Sequence, residues 1–584
     1  MVYRNARNQA VASTDFAKLA HTILQQRFLR ACVYQVPLAY TAAIVANLNF
    51  RNGIFSLFYA FISPRTLGYT VAAYIAGIVC LVIHLQLFQV TRAAHSSHFP
   101  KLQRLLRTPA STGIVVGSFT LLAYFMLIVH RGMFGGSSMW LYPEGFYGPP
   151  QLNPGWLAAW VFATTVGVSY GSKLLMDERL QLAFPAIEQS RIYAIKDRLP
   201  SCFSAAFEFA SSTMWRFWLG YFFFGWGMYQ SVCSILARVF TTSSYGVGSP
   251  LFSISNLVFW LHCSFSMALT WELAHQLFEI IVTEPTHINE LSLDRNFCLL
   301  NGLKHSESPL IQHWAYQELY RITAFNTEQR TEILTDIDRK SGTMWFQVSS
   351  ECLKVIQAAT EQLKKQTEPS KQEKPASTSM QSNADTKLSV GAGGAPIKDI
   401  LMQNRRKSQS SEPQPAKKPE PIAAPDLFGV EAQGLEKYVL TTLRDMLLQS
   451  PLGQRILLRS QRARSISTFA NFQQQIWAIR SLMRLVEGSI SEDKYGVVQG
   501  DISKVLETLF VYLTELERCS EQADSMSNKS EYNVQTANRQ TVAMIQVIRN
   551  TLYAFTTTFY DYLEALKLPP AQAQQLQKFA DFMA

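Results

Sequence analysis

Residues 67–90 read LGYTVAAYIAGIVCLVIHLQLFQV, 24 consecutive positions without a Lys, Arg, Asp or Glu. A helix rises 1.5 Å per residue, so crossing the roughly 30 Å hydrocarbon layer takes about 20 apolar residues. The stretch therefore reads as a membrane span. Working outward from it, five more charge-free stretches follow the same rule, at residues 31–50, 112–130, 154–170, 217–237 and 251–270. The expected fold class is all-α. A six-span transmembrane helix bundle (residues 31–270) follows a cytosolic segment (1–30) and precedes a cytosolic or nucleoplasmic α-helical C-terminal region interrupted by a disordered linker.

Composition agrees with a membrane part joined to a water-soluble part. Of 584 residues only 16% are charged, and the mean hydropathy is +0.02; soluble domains carry about a quarter charged residues. Residues 1–270 hold 19 Lys+Arg against 7 Asp+Glu, and the remainder 34 against 36. The basic excess thus sits between apolar runs and not on a soluble domain, which argues against nucleic-acid binding. Alternate inter-span segments carry 15 and 4 basic residues. The positive-inside rule then places both termini on the cytosolic or nucleoplasmic side.

The spans are poor in reactive groups. Only His84, His130 and His262 are ionisable at membrane depth, and a packing or interfacial role is expected for each. Gly113 and Gly117, and Gly167 and Gly171, have the small-xxx-small spacing that lets helices approach closely. Trp215, Trp218, Tyr221, Trp226 and Tyr229 suit interfacial anchoring. The eight cysteines form no CxxC pair and no zinc-type cluster with histidine. No GxGxxG, P-loop or HExxH occurs, so neither an enzyme nor a metal or other cofactor is expected.

After residue 270 the pattern becomes amphipathic. Residues 271–282 continue the last span, and Ser308-Pro309 opens a helix with an N-cap serine and proline at the first position. Asn326 starts another, and residues 345–363 form a longer one, making a helical module over 271–363. Residues 364–426, rich in Lys, Gln, Ser, Pro and Ala, read as a disordered linker. A second helical module occupies 427–584, its strongest helices at 501–519 and 540–566 with apolar residues at i, i+3/i+4. Within 451–464, Arg455, Arg459, Arg462 and Arg464 flank apolar residues; this segment reads either as a contact with anionic lipid or as an ordinary surface helix.

Residues 299–363 carry a further signal. They contain Leu299-Leu300-Asn301-Gly302-Leu303, Ser308-Pro309-Leu310-Ile311-Gln312, Ala315-Tyr316-Gln317-Glu318-Leu319, Glu328-Gln329-Arg330, Trp345 and Ser350-Glu351-Cys352-Leu353. These residues resemble the transmembrane nucleoporin family named for the nuclear division cycle, as does the six-span architecture. The resemblance implies a non-enzymatic anchor of the nuclear pore complex in the pore membrane of the nuclear envelope. It implies as partners membrane lipid, scaffold and linker nucleoporins of the amphipathic RRM-bearing type, other pore-membrane proteins and an aladin-like WD-repeat protein. In fungal members it also implies insertion of the spindle pole body. The competing reading, a transporter or channel, would need charged groups at mid-membrane depth.

Overall fold

The computed structural model describes residues 15–48, 60–90, 108–134, 154–185, 189–236, 254–339, 341–367, 471–527 and 534–581, with residues 105, 141–142, 151–152 and 469. The basic segment 451–464, with Arg455, Arg459, Arg462 and Arg464, lies outside the described residues, as does the linker beyond Thr367.

The bundle helices are α1 (Phe16–Asn47), α2 (Pro64–Leu87), α3 (Pro109–Phe134), α4 (Pro154–Met176), α5 (Arg191–Leu236) and α6 (Ile254–Val282). Between α3 and α4, residues 141–142 and 151–152 form a short antiparallel pair, β1 and β2. Among the described residues, four helices are long and apolar enough to cross a membrane: α1, α2, α3 and α6. The fourth expected stretch lies within α4, and α5 takes in residues 217–236 of the fifth. Outward faces present Val33, Val71, Ile114, Leu121 and Val258 exposed, a surface suited to lipid and not to water.

Local chemistry sets the helix starts. Asp15 accepts from the Ala17 N–H at 3.0 Å to cap α1, and Ser63 caps α2 ahead of Pro64 at the first position. Helix α1 begins at Phe16 and so takes in the second half of the segment read as cytosolic, residues 1–30, ahead of the first apolar run. Its first turns need no lipid-compatible sequence, because Phe16, Leu19 and Ala20 are buried against protein. A correction concerns α5, a single 46-residue helix that takes in both the basic segment from Arg191 and residues 217–236 of the expected fifth span.

Helix packing separates the two glycine pairs. A Cβ on Gly167 would lie 2.4 Å from the Thr120 Cα, and one on Gly171 2.9 Å from the Val116 Cα, so α3 and α4 touch backbone to backbone. Gly113 and Gly117 face open space, which corrects the expectation that they pack a helix. Gly167→Val is therefore expected to lower stability by about 1–3 kcal/mol, because backbone cannot give way as a side chain can. Gly113→Val is expected to stay within about 0.5 kcal/mol. Thermal melts of the two variants in the same detergent check the difference.

The tail comprises α7 (Arg295–Lys304), α8 (Pro309–Phe325), α9 (Thr327–Thr335) and α10 (Met344–Thr367). After the undescribed stretch come α11 (Phe472–Glu492), α12 (Ile502–Ser527), α13 (Val534–Thr558) and α14 (Pro570–Ala580). The sequence reading treats 271–363 and 427–584 as separate modules, but their described helices share one core: α8 packs on α11, and α10 on α11 and α12. Two polar clamps join the halves. Trp345 Nε1 donates to Asp501 at 3.0 Å, and Arg330 binds both carboxylate oxygens of Glu492. Helix α13 stops at Thr558, short of the expected residue 566, where Thr557 and Thr558 hydroxyls donate back to the carbonyls of Tyr553 and Ala554.

Candidate functional site at the junction of bundle and tail

Helix α6 does not end with its apolar stretch. It continues to Val282, and Glu272, Glu279 and Glu284 lie on or just past this extension. Each carboxylate receives an arginine from another segment. Arg179 binds both oxygens of the buried Glu272 at 2.6 Å, the forked geometry that makes such pairs strong. Arg198 donates to Glu279 and Gln276 at 2.7 Å each, and Arg191 pairs with Glu284.

The fourth arginine closes the collar differently. Arg27 of α1 is buried and donates to the carbonyls of Val282 (2.7 Å), Glu284 (2.7 Å) and Pro285 (2.9 Å). These oxygens end α6 and lack helical partners, and a cation there also suits the negative end of the helix dipole. The guanidinium lies 4.7 Å from the centroid of the Trp314 ring, while Trp314 Nε1 donates to the Val282 carbonyl at 3.2 Å. One arginine thus ties α1, the end of α6 and tail helix α8 together.

Three further contacts join bundle to tail. The Phe16 ring sits against Gly302 of α7, where a Cβ would approach the ring to 2.7 Å and the Ala315 Cβ to 2.9 Å. Phe184, in the connection from α4 to α5, stacks on His313 at 5.5 Å and meets Trp477 edge-on at 5.5 Å. The buried Glu318 accepts from the backbone N–H groups of Asn289 (2.7 Å) and Ile288 (3.2 Å), pinning the chain that leaves α6. Burial pushes the Glu318 carboxyl up to about 8, against the opposing pull of those two donors.

His313 gives this junction a pH dependence. Its Nδ1–H donates to the Pro309 carbonyl at 2.8 Å, and burial pulls the imidazole down to about 4 from 6.5. The folded chain therefore binds fewer protons here than the unfolded chain between those values. The stability contribution is present above pH 6.5 and is lost as pH falls through about 4. A loss of about 2 kcal/mol between pH 7 and pH 5 is expected from this group. Melting curves at the two pH values, with His313→Phe as the variant that removes this part of the loss, check it.

The sequence-selected residues now have places. Leu299, Gly302, Leu303, Leu310, Ala315, Gln317, Leu319, Trp345, Cys352 and Leu353 are buried in the tail core. Asn301 is half-buried, Pro309 is exposed at the start of α8, and Arg330 is the clamp to Glu492. Sequence reasoning did not single out Glu272, Glu279 and Glu284. The available signal was acidic residues at helical spacing directly after an uncharged span, opposite arginines read only as orientation signals. Among the described residues no group of His, Cys, Asp and Glu has the arrangement of a metal site.

Residues 22–577 match the protein family described as "Nucleoporin protein Ndc1-Nup". The chain belongs to this family. Among curated relatives, Nucleoporin NDC1 of Homo sapiens is 22% identical over 508 residues, covering 71% of this chain and 74% of the relative. Nuclear envelope protein ndc1 of Schizosaccharomyces pombe is 23% identical over 543 residues, covering 84% and 83%. Nucleoporin NDC1 of Danio rerio is 30% identical over 177 residues, 29% of this chain and 26% of the relative. The Ndc1-Nup family is a structural component of the pore and not an enzyme. In this Ndc1-Nup chain the collar and the tail core are accordingly read for mechanics, not catalysis.

Proposed function

We propose that this nucleoporin is a multi-pass anchor in the pore membrane of the nuclear envelope, with six spans and both termini on the cytosolic or nucleoplasmic side. Its tail docks scaffold and linker nucleoporins, including the amphipathic RRM-bearing type, and associates with other pore-membrane proteins and an aladin-like WD-repeat protein. The fungal role in spindle pole body insertion belongs to the same reading.

The observation that carries it is the collar. Arg27, Arg179, Arg191 and Arg198 join three bundle segments to the end of α6, and Trp314 joins that end to the tail. A load on the tail then passes to helices held in lipid by the cost of exposing their apolar faces to water. Tethering at the pore membrane also raises the effective concentration of docked partners.

A tagged full-length copy at endogenous level, imaged beside a pore marker, tests the reading. A punctate nuclear rim is expected; plasma-membrane, mitochondrial or tubular-reticulum signal without rim enrichment overturns it. Affinity purification of the same copy under mild detergent is expected to retain scaffold or linker nucleoporins, and their absence removes the docking role.

A further inference from the structure

Arg216 stands one residue before the charge-free stretch 217–237, where the sequence places it in a basic loop. Packing places it elsewhere. Helices α5 and α6 run antiparallel, with Arg191 against Glu284, Arg198 against Glu279, and the Phe217 ring 6.0 Å from Trp260. Carried along both helices, this register sets residues 206–222 beside 254–270, the uncharged part of α6. Helix α4 agrees: Phe217 lies 5.1 Å from Phe162, near the midpoint of Pro154–Met176. Arg216 thus stands near the middle of the part of α5 that lies beside the uncharged stretches of α4 and α6.

The Arg216 side chain is exposed on the bundle surface. Its guanidinium donates to Ser212 Oγ at 2.6 Å and to Ser169 Oγ at 3.3 Å. Both partners are neutral, and among the described residues no carboxylate lies within ion-pair distance of it. Around it the same face shows exposed Trp215, Leu219 and Phe222. An arginine facing hydrocarbon is costly, and intramembrane charges pair with an opposite charge when one is present.

We propose that this face of α5, around Arg216, docks a transmembrane helix of another membrane protein that presents a carboxylate at the level of Ser169 and Ser212, where the guanidinium lies. Charge complementarity selects that occupant. A second copy of this chain meets the requirement poorly, because the acidic residue nearest on the same face is Glu208, about 12 Å along the axis at 1.5 Å per residue. A twofold axis along the membrane normal would set Arg216 against Arg216. Ser169 and Ser212 accept from the guanidinium and keep their O–H groups to donate to the incoming carboxylate. The inference rests on the membrane-spanning reading of α4, α5 and α6 and is independent of the pore role.

The test places a photoreactive amino acid at Leu219 of the full-length chain and irradiates native membranes. The expected adduct is with one transmembrane protein, through a span peptide containing Asp or Glu. Arg216→Glu is expected to cut adduct yield about tenfold or more, the effect of 1.4 kcal/mol, and changing the partner's carboxylate residue to Arg is expected to restore it. Arg216→Lys keeps the adduct. Arg216→Leu loses it while the melting temperature of the purified chain is maintained, which separates docking from folding. Adducts with lipid alone, adducts with a second copy, or a yield indifferent to Arg216→Glu and Arg216→Leu each overturn the proposal. Loss of rim localisation does not enter this readout.

Discussion

Trp314→Ala is expected to lower stability by about 3–5 kcal/mol, the range for removing a buried tryptophan. The indole is almost fully buried, lies under the Arg27 guanidinium and donates to the Val282 carbonyl. Its loss therefore opens a cavity where α1, α6 and α8 meet and strips Arg27 of its stacking surface. The damage should be local to the junction. Limited proteolysis is expected to cut faster between Val282 and Ser308, while the bundle itself stays resistant. Phe325→Ala, at the exposed end of the same helix, is the control and should change stability by less than about 0.5 kcal/mol. Equal proteolysis of Trp314→Ala and the unaltered chain would remove Trp314 from the load path.

Arg179→Met is expected to cost about 3–5 kcal/mol, because it leaves the Glu272 carboxylate buried with its counter-charge gone. Glu272 is 1% exposed, so water cannot replace the two 2.6 Å bonds. The double variant Arg179→Met with Glu272→Leu should recover most of that loss, since an apolar pair of similar size removes the desolvation penalty along with the attraction. Arg198→Met should cost less, because Glu279 is 14% exposed and reaches water. Melting temperatures of the single and double variants, combined as a mutant cycle, decide it. If the double variant is as unstable as Arg179→Met, the pair matters for packing and not for charge.

Much of the helical layout was legible in local pattern. The charge-free runs at 31–50, 67–90, 112–130 and 251–270 overlap the four helices apolar enough to cross a membrane, because length and hydropathy are properties of a contiguous segment. Ser308-Pro309 and Asn326 begin helices where expected, Asn326 by accepting from the Gln329 N–H and Pro309 by occupying the first turn, while the Ser308 hydroxyl makes no cap bond. Leu310, Trp314 and Leu319, at helical spacing after that start, are buried in the tail core. Spacing misled where it was asked about partners. Gly113-x-x-x-Gly117 and Gly167-x-x-x-Gly171 are the same pattern, yet only the second meets a neighbouring backbone. Whether a small residue is used depends on the helix opposite it.

Local pattern alone therefore carries the helical class, the apolar runs and, through residues 299–353, a resemblance to the family whose model matches residues 22–577. Tertiary structure alone decided which arginines form the collar, that the two halves of the tail share one core, and the level of Arg216 along its neighbours. The physical reason is separation along the chain. Arg179 meets Glu272 across 93 positions, and Arg27 reaches Val282 across 255. A periodicity of 3.6 residues carries information about one helix and its faces; which face meets which is fixed only when the helices pack.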